Sequence, residues 1–150
     1  MNSNLGRTSR PVLTERDILD GWRAGKTGQP FYRLTSEIVA AFEYRGPQFG
    51  HPSNYAAIKL VATPSDEFGL ESVAIYPPSV ALPYAKQLLL AVGQAVVDEL
   101  FASAWYPHRG FKLTVQEVGW DDIMSSEVAV YRAARGALSK VRQEGQWTVT

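Results

Sequence analysis

The clearest amphipathic pattern in the chain lies over residues 82–100. Apolar side chains recur there at spacings of three and four, at Leu82, Ala85, Leu88, Leu89, Val92, Val96 and Leu100. This spacing is typical of a helix that turns one apolar stripe toward a sheet. Pro83 supports a helix start at this point, because the N–H groups of the first turn have no partner within the helix, so proline loses no hydrogen bond there. Polar residues interrupt the stretch, so it predicts a packed helix, whereas a membrane span requires about 20 nearly unbroken apolar residues.

β-Branched and aromatic runs predict strands on both sides of this helix. Four runs precede it, over residues 31–34, 38–44, 55–63 and 70–76. Turn-rich stretches separate these runs, as expected between strands. A fifth run, over residues 111–118, follows the helix and alternates between apolar and polar side chains. Alternation of this kind predicts a sheet with one buried face and one wet face.

A second helix is predicted after residue 126. Ser125 or Ser126 is placed to cap its N-terminus, and Glu127 puts a carboxylate in the first turn, where the helix dipole favours it. The inner face of this helix consists of Val130, Ala133, Ala134, Ala137, Leu138 and Val141. The small alanines indicate close packing on the sheet or on the other helix.

The two ends of the chain differ from its middle. Residues 1–13 are polar and predict a flexible arm, and Thr14 and Gly25 are placed to cap and to end a short helix. We accordingly divide the chain into an arm with a short helix over 1–27, a domain over 28–145 and a tail over 146–150. Strands followed by a helix, a strand and a helix predict an α+β two-layer sandwich.

Composition excludes several classes of protein. The 150 residues contain fifteen Lys and Arg, fifteen Asp and Glu and no Cys, so the formal net charge is zero. A neutral chain does not suit non-specific coating of nucleic acid, which requires surplus Lys and Arg. The lack of cysteine excludes disulfides, thiol nucleophiles and Cys-ligated zinc. No stretch has the pattern of a signal or membrane segment, so we expect a cytoplasmic protein without a membrane partner.

Five short stretches carry a resemblance to a known family. They are GQPFYRLTSEI at 28–38, GPQFGH at 46–51, AWYPHRGFKLT at 104–114, EVGWDDIMSSE at 117–127 and VAVYRAA at 128–134. In this order they resemble motifs of domain IV of elongation factor G, the bacterial ribosomal translocase. The third stretch, for example, stands without a gap where the family has A-G-Y-P-V-V-D-V-K-V-T. The resemblance covers about residues 28–142.

The resemblance implies both a fold and a place for the function. The fold is of the ribosomal protein S-five domain-2-like type, a four-stranded mixed sheet with two helices on one face, here with an added N-terminal helix. In the family, the tip of domain IV enters the decoding region and touches messenger and transfer RNA. The two tip loops correspond to residues 45–54 and 117–125. The implied RNA-binding residues are Arg45, Gln48, Phe49, His51, Trp120 and Asp121.

The residues of the tip loops weaken this RNA-binding interpretation. Pro47 stands where the family usually has Arg, and Asp121 stands where it has His. Glu117 and Asp122 add further negative charge, which repels a phosphate backbone. The alternative role for Trp120 is to pack against the core. The alternative role for the two aspartates is to satisfy free N–H groups before the second helix.

A basic face is predicted on the second helix. Arg132, Arg135 and Arg142 recur at helical spacing and are expected to share one side. The usual meaning of such a stripe is a solvated helix surface. The more specific alternative is that this face binds an acidic partner, RNA included.

No catalytic arrangement is recognisable. His51 and His108 show no metal-ligand spacing, and we expect each to be solvated. The GKT at residues 25–27 lacks the upstream glycine of a phosphate-binding loop and follows a predicted helix instead of a strand. We therefore expect neither enzymatic activity nor a cofactor or metal ion.

Two functional hypotheses remain. The first is a stand-alone, translation-related module that binds the ribosome or RNA without hydrolysing GTP. The second is a protein–protein interaction or homodimerisation domain that kept the fold and lost the RNA-binding tip. The GPQFGH loop favours the first hypothesis, and the acidic second loop favours the second.

Overall fold

The computed structural model describes residues 12–14, 30–47, 53–102 and 104–150. Most of the predicted N-terminal helix lies outside these ranges, as do the predicted tip residues Gln48, Phe49 and His51. Val12–Thr14 is a strand, β1. Val12 and Leu13, which the sequence places in a flexible arm, instead pair with Glu71 and Leu70 of another strand. The helix that Thr14 is predicted to cap lies outside the described residues, so that cap stays a prediction. Val, Leu and Thr suit a strand once a sheet edge is available.

Further strands and two helices follow β1 in the described ranges. The strands are β2 (Tyr32–Leu34), β3 (Ile38–Arg45), β4 (Tyr55–Pro64), β5 (Gly69–Ser72), β6 (His108–Gly119) and β7 (Trp147–Val149), and the helices are α1 (Leu82–Val96) and α2 (Glu127–Glu144). Pro83 lies in the first turn of α1, as predicted. Ser126 caps α2, because its Oγ accepts a hydrogen bond from the Ala129 N–H at 3.3 Å. The predicted starts of both helices are thus confirmed.

The seven described strands join one mixed sheet, which has more strands than the four that the resemblance implies. The central strand is β6, which pairs with β4 antiparallel and with β2 and β5 parallel. β3 pairs with β4, β1 with β5 and β7 with β2, all antiparallel. β1 and β7 have three residues each, too few to show an alternation in sequence. The predicted tail over 146–150 therefore contains a strand of the sheet.

Both helices pack on one face of this sheet. Alternate side chains of the strands meet side chains of both helices in one core, for example Ala40, Ile58, Leu60, Leu113, Leu88, Val92, Ala133 and Ala137. The other face carries exposed or half-buried side chains, among them Val39 and Lys59. The α+β two-layer sandwich is confirmed. No helix in the described ranges is both long and apolar enough to cross a membrane.

Two irregular features shape the path of the chain. Val97–Phe101 continues α1 as a π-helical turn before the chain reaches β6. Within β6 the pairing with β4 shifts, because Leu60 faces Val115 and Lys59 faces Glu117, which leaves Gln116 as an extra residue. A bulge of this kind bends a strand and redirects the side chains beyond it. It lies just before the C-terminal end of β6, where the predicted tip loop begins.

Candidate binding site at the tip of the sheet

The structure brings the described parts of both predicted tip loops to one end of the sheet. Asn54 and Tyr55 both donate backbone hydrogen bonds to the Met124 carbonyl, at 3.0 and 3.1 Å. Ser53 Oγ and Ser126 Oγ share a hydrogen bond of 2.6 Å. Side-chain hydroxyls thus join the start of β4 to the start of α2. We refer to residues 45–47, 53–55 and 119–126 together as the tip.

Arg45 is the one Lys or Arg side chain among the described tip residues. Its guanidinium forms an ion pair with Glu43 and lies 4.8 Å from the centre of the Tyr55 ring. The side chain remains 63% exposed. Arg45 is therefore accessible to a partner, but Glu43 already offsets much of its positive charge.

Trp120 is held against the core. Its ring meets Tyr76 and Tyr84 edge to face, with centroids 6.3 and 5.8 Å away. Its Nε1 donates to Asp122 Oδ1 at 3.1 Å. Burial raises the pKa of the neighbouring Tyr76 to about 12. This geometry favours the packing role of Trp120 over stacking on a nucleic-acid base.

The two aspartates of the second loop organise the loop itself. Asp121 Oδ1 accepts hydrogen bonds from the N–H groups of Ile123 and Met124, both at 2.9 Å. Asp122 Oδ1 accepts a hydrogen bond from Ser79 Oγ at 2.7 Å, in addition to the one from Trp120. These contacts support the alternative in which the carboxylates satisfy free donors before α2. They also place two negative charges at the tip.

A shallow groove of about 500 Å³ lies beside the tip, on the face of the sheet that the helices do not cover. We refer to this face as the open face. Its lining includes the small residues Ala41, Ala57 and Gly119. Lys59 and Glu117 also line it, with their charged groups 3.9 Å apart. Acidic and basic side chains are mixed here, so the groove does not select a ligand of one charge.

The predicted basic face of α2 is largely committed to contacts within the protein. Arg135 Nε donates to Glu99 Oε1 at 2.9 Å, and Arg142 donates to Glu99 Oε2 at 2.9 and 3.1 Å. Arg132 donates to the Tyr44 hydroxyl at 2.9 Å. The Glu99 carboxylate is nearly buried in the π-helical turn. Arg135 and Arg142 therefore bind the neighbouring turn, which leaves less positive charge for a phosphate backbone.

His108 and Arg109, at the other end of β6, show what sequence reasoning missed. His108 is only 8% exposed, with its ring stacked on Tyr32 at 4.4 Å and edge-on to Trp147 at 4.8 Å. The expectation of a solvated His108 is therefore wrong. Burial, and to a lesser extent the charge of Arg142, lower the pKa of His108 to about 4. Arg109 is also buried, with its guanidinium 4.1 Å from the Phe31 ring.

The signals for these residues were weak in the sequence. Glu99 interrupts an apolar stripe, which hints at a buried partner, but its two arginines come 36 and 43 residues later. His108 gains its stacking partner from β2 and its edge contact from β7, the two ends of the domain. Among the described residues, no group of three or more His, Asp or Glu side chains is placed to hold a metal ion.

Comparison with known proteins shows the fold. No protein-family model and no curated protein matches the chain. A crystal structure of a protein from Thermus thermophilus matches 80% of this chain with a TM-score of 0.60 and 20% sequence identity. The chain spans 18% of the length of that protein. The two proteins therefore share a fold, and the fold of this chain is one already found within a larger protein.

Proposed function

We propose that the chain is a translation-related module that binds the ribosome through its tip without hydrolysing GTP. The observation that carries the proposal is the joining of the two loops at one end of the sheet through Ser53, Ser126 and Met124. In domain IV of elongation factor G, which the sequence resembles, the corresponding loops form the working end. The fold, found within a protein several times longer, supports a module of this kind.

Co-sedimentation with bacterial ribosomes tests this proposal. Binding is expected at about 50 mM salt and is expected to weaken at about 300 mM salt, because electrostatic contacts to the ribosome are screened. Arg45→Ala is expected to weaken sedimentation by about 1.4- to fivefold, since an exposed charge contributes about 0.2–1 kcal/mol. Lys112→Ala, an exposed cation on the open sheet face away from the tip, is the matched control. Absence of sedimentation at low salt would reject the proposal.

A second candidate function is protein–protein interaction, homodimerisation included. The pairing of Arg135 and Arg142 with Glu99 favours it, because arginines that already share a carboxylate attract nucleic acid less strongly. Light scattering across about a hundredfold range of concentration decides whether the partner is a second copy. A constant monomer mass would leave only partners of other sequence.

A further inference from the structure

We infer that a surface that includes part of the tip and the residues beside it docks on a protein partner that presents Lys or Arg together with apolar side chains. The docking surface consists of Ile75, Asp122, Ile123, Glu127 and Val128, and we call it the acidic–apolar surface. This inference names the partner of the site proposed above, and it rests on the proposed function only for placing that partner on the ribosome. It replaces the RNA contact that the family resemblance implies with a contact to protein.

Among the described residues near the tip, two isoleucines are the most exposed apolar side chains. Ile75 is 90% exposed and Ile123 is 70% exposed. A single exposed apolar residue is common on protein surfaces. The residues around Ile75 and Ile123 therefore decide whether the two mark a binding surface. Asp122 accepts hydrogen bonds from Ser79 and Trp120, and Trp120 contacts Tyr76. These contacts join the segment that carries Ile75 to the loop that carries Ile123.

The loop beneath this surface is organised before any partner binds. The Ile123 N–H is held by Asp121, and Trp120 is packed between Tyr76 and Tyr84. Val128, 46% exposed, stands in the first turn of α2, just after the Ser126 cap. An organised surface loses little conformational entropy when a partner binds, which favours binding at this place.

The charge of the surface selects the chemistry of the partner. Asp122 and Glu127 are exposed carboxylates, and neither they nor Asp121 form an ion pair with any Lys or Arg in the described ranges. Arg45, the cation of the described tip, is paired with Glu43. Such a surface repels phosphates and attracts ammonium and guanidinium groups. Exposed isoleucines beside it fit a partner that also presents apolar side chains.

Calorimetric titration of the full chain with three probes tests the partner chemistry. The probes are an amphipathic helical peptide of leucine and lysine, the same peptide with glutamate in place of lysine, and a short RNA hairpin. The lysine peptide is expected to bind at least about tenfold more tightly than the other two at about 50 mM salt. Tighter binding of the hairpin, or equal binding of both peptides, would overturn the inference.

Variants locate the contact. Ile123→Ser is expected to weaken binding of the lysine peptide about five- to tenfold, and the double variant Asp122→Asn with Glu127→Gln about two- to fivefold. Val149→Ser and Glu144→Gln remove an exposed apolar group and an exposed charge far from the tip, and they are expected to leave the affinity unchanged. Equal losses in the tip variants and the controls would contradict the inference. So would a homodimer that Ile123→Ser dissociates.

The two proposals fail separately. If ribosomes do not sediment the chain but the lysine peptide binds through Ile123, the proposed function is wrong and the docking chemistry stands. If ribosomes bind and Ile123→Ser sediments with them as well as the unchanged chain does, the docking surface is wrong and the ribosomal role stands.

Discussion

The two ends of β6 carry side chains of opposite character. At the tip, the carboxylates of Asp121 and Asp122 lie at the surface and hold the loop. At the other end, His108 and Arg109 are buried against aromatic rings. The twelve residues of β6 separate these ends by roughly 35–40 Å at the rise of an extended strand.

This difference explains how a chain with zero net charge can present a charged surface. The guanidinium-bearing Arg109 at the start of β6 is buried by packing, and Arg135 and Arg142 are paired with Glu99. The carboxylates at the tip keep their exposure while they accept hydrogen bonds. A partner therefore contacts only the charged side chains that remain exposed, and the net charge of the sequence does not describe the surface that the partner contacts.

The largest expected effect is a loss of folding stability at acid pH, which arises at the buried end of β6. Burial lowers the pKa of His108 from 6.5 to about 4, so the folded state favours the neutral imidazole. This contribution to the free energy of unfolding is fully present above pH 6.5 and is lost as the pH falls toward 4, by about 3 kcal/mol in all. Urea unfolding at about pH 7 and about pH 4.5 measures the loss.

His108→Phe is the control for this effect, because it keeps an aromatic ring against Tyr32 and Trp147 without a titrating group. Its stability is expected to fall less over the same pH range than that of the unchanged chain. An equal fall in both proteins would assign the acid sensitivity to carboxylates instead of His108.

A smaller effect is expected from removing the carboxylate that pairs with Arg135 and Arg142. Glu99→Gln leaves Arg135 and Arg142 without their ion pairs. Because both arginines are partly exposed and water replaces some of the interaction, we expect a loss of about 2 kcal/mol in urea unfolding. Glu144→Gln, at the exposed end of α2, is expected to change stability by less than about 0.5 kcal/mol. Similar losses in both variants would mean that the Glu99 pairs add nothing to stability.

The smallest effect concerns the tip, where side chains hold a loop instead of a core. Asp121→Ala removes the acceptor for two backbone N–H groups and is expected to cost about 1 kcal/mol in thermal or urea unfolding. Asp121→Asn keeps an oxygen in place and is expected to restore most of this. If Asn is as destabilising as Ala, the charge and not the hydrogen bonds holds the loop.

Local chemistry made the helices predictable. Pro83 and the stripe behind it marked α1, and Ser126 marked α2, because a helix start depends on residues close to it in sequence. The β3 and β4 strands were predicted from runs of β-branched and aromatic residues, and β6 from the alternation of apolar and polar side chains that begins at residue 111. The meeting of the two tip loops was implied by the resemblance, and not by any local pattern.

The features that sequence patterns missed depend on distant partners. β1 and β7 have three residues each and become strands only because β5 and β2 offer edges. A solvated His108 was predicted because the rings of Tyr32 and Trp147, which bury it, come from strands distant in sequence. The arginines of α2 looked like a free face until Glu99 was found against them.

The sequence by itself determined the secondary structure of the middle of the chain and the class of fold, because periodicity and capping act within a few residues. The tertiary structure decided which charges remain available to a partner. Burial and pairing depend on contacts between segments tens of residues apart, which no local pattern encodes. For this protein the outcome is an acidic, partly apolar tip on a chain whose total charge is zero.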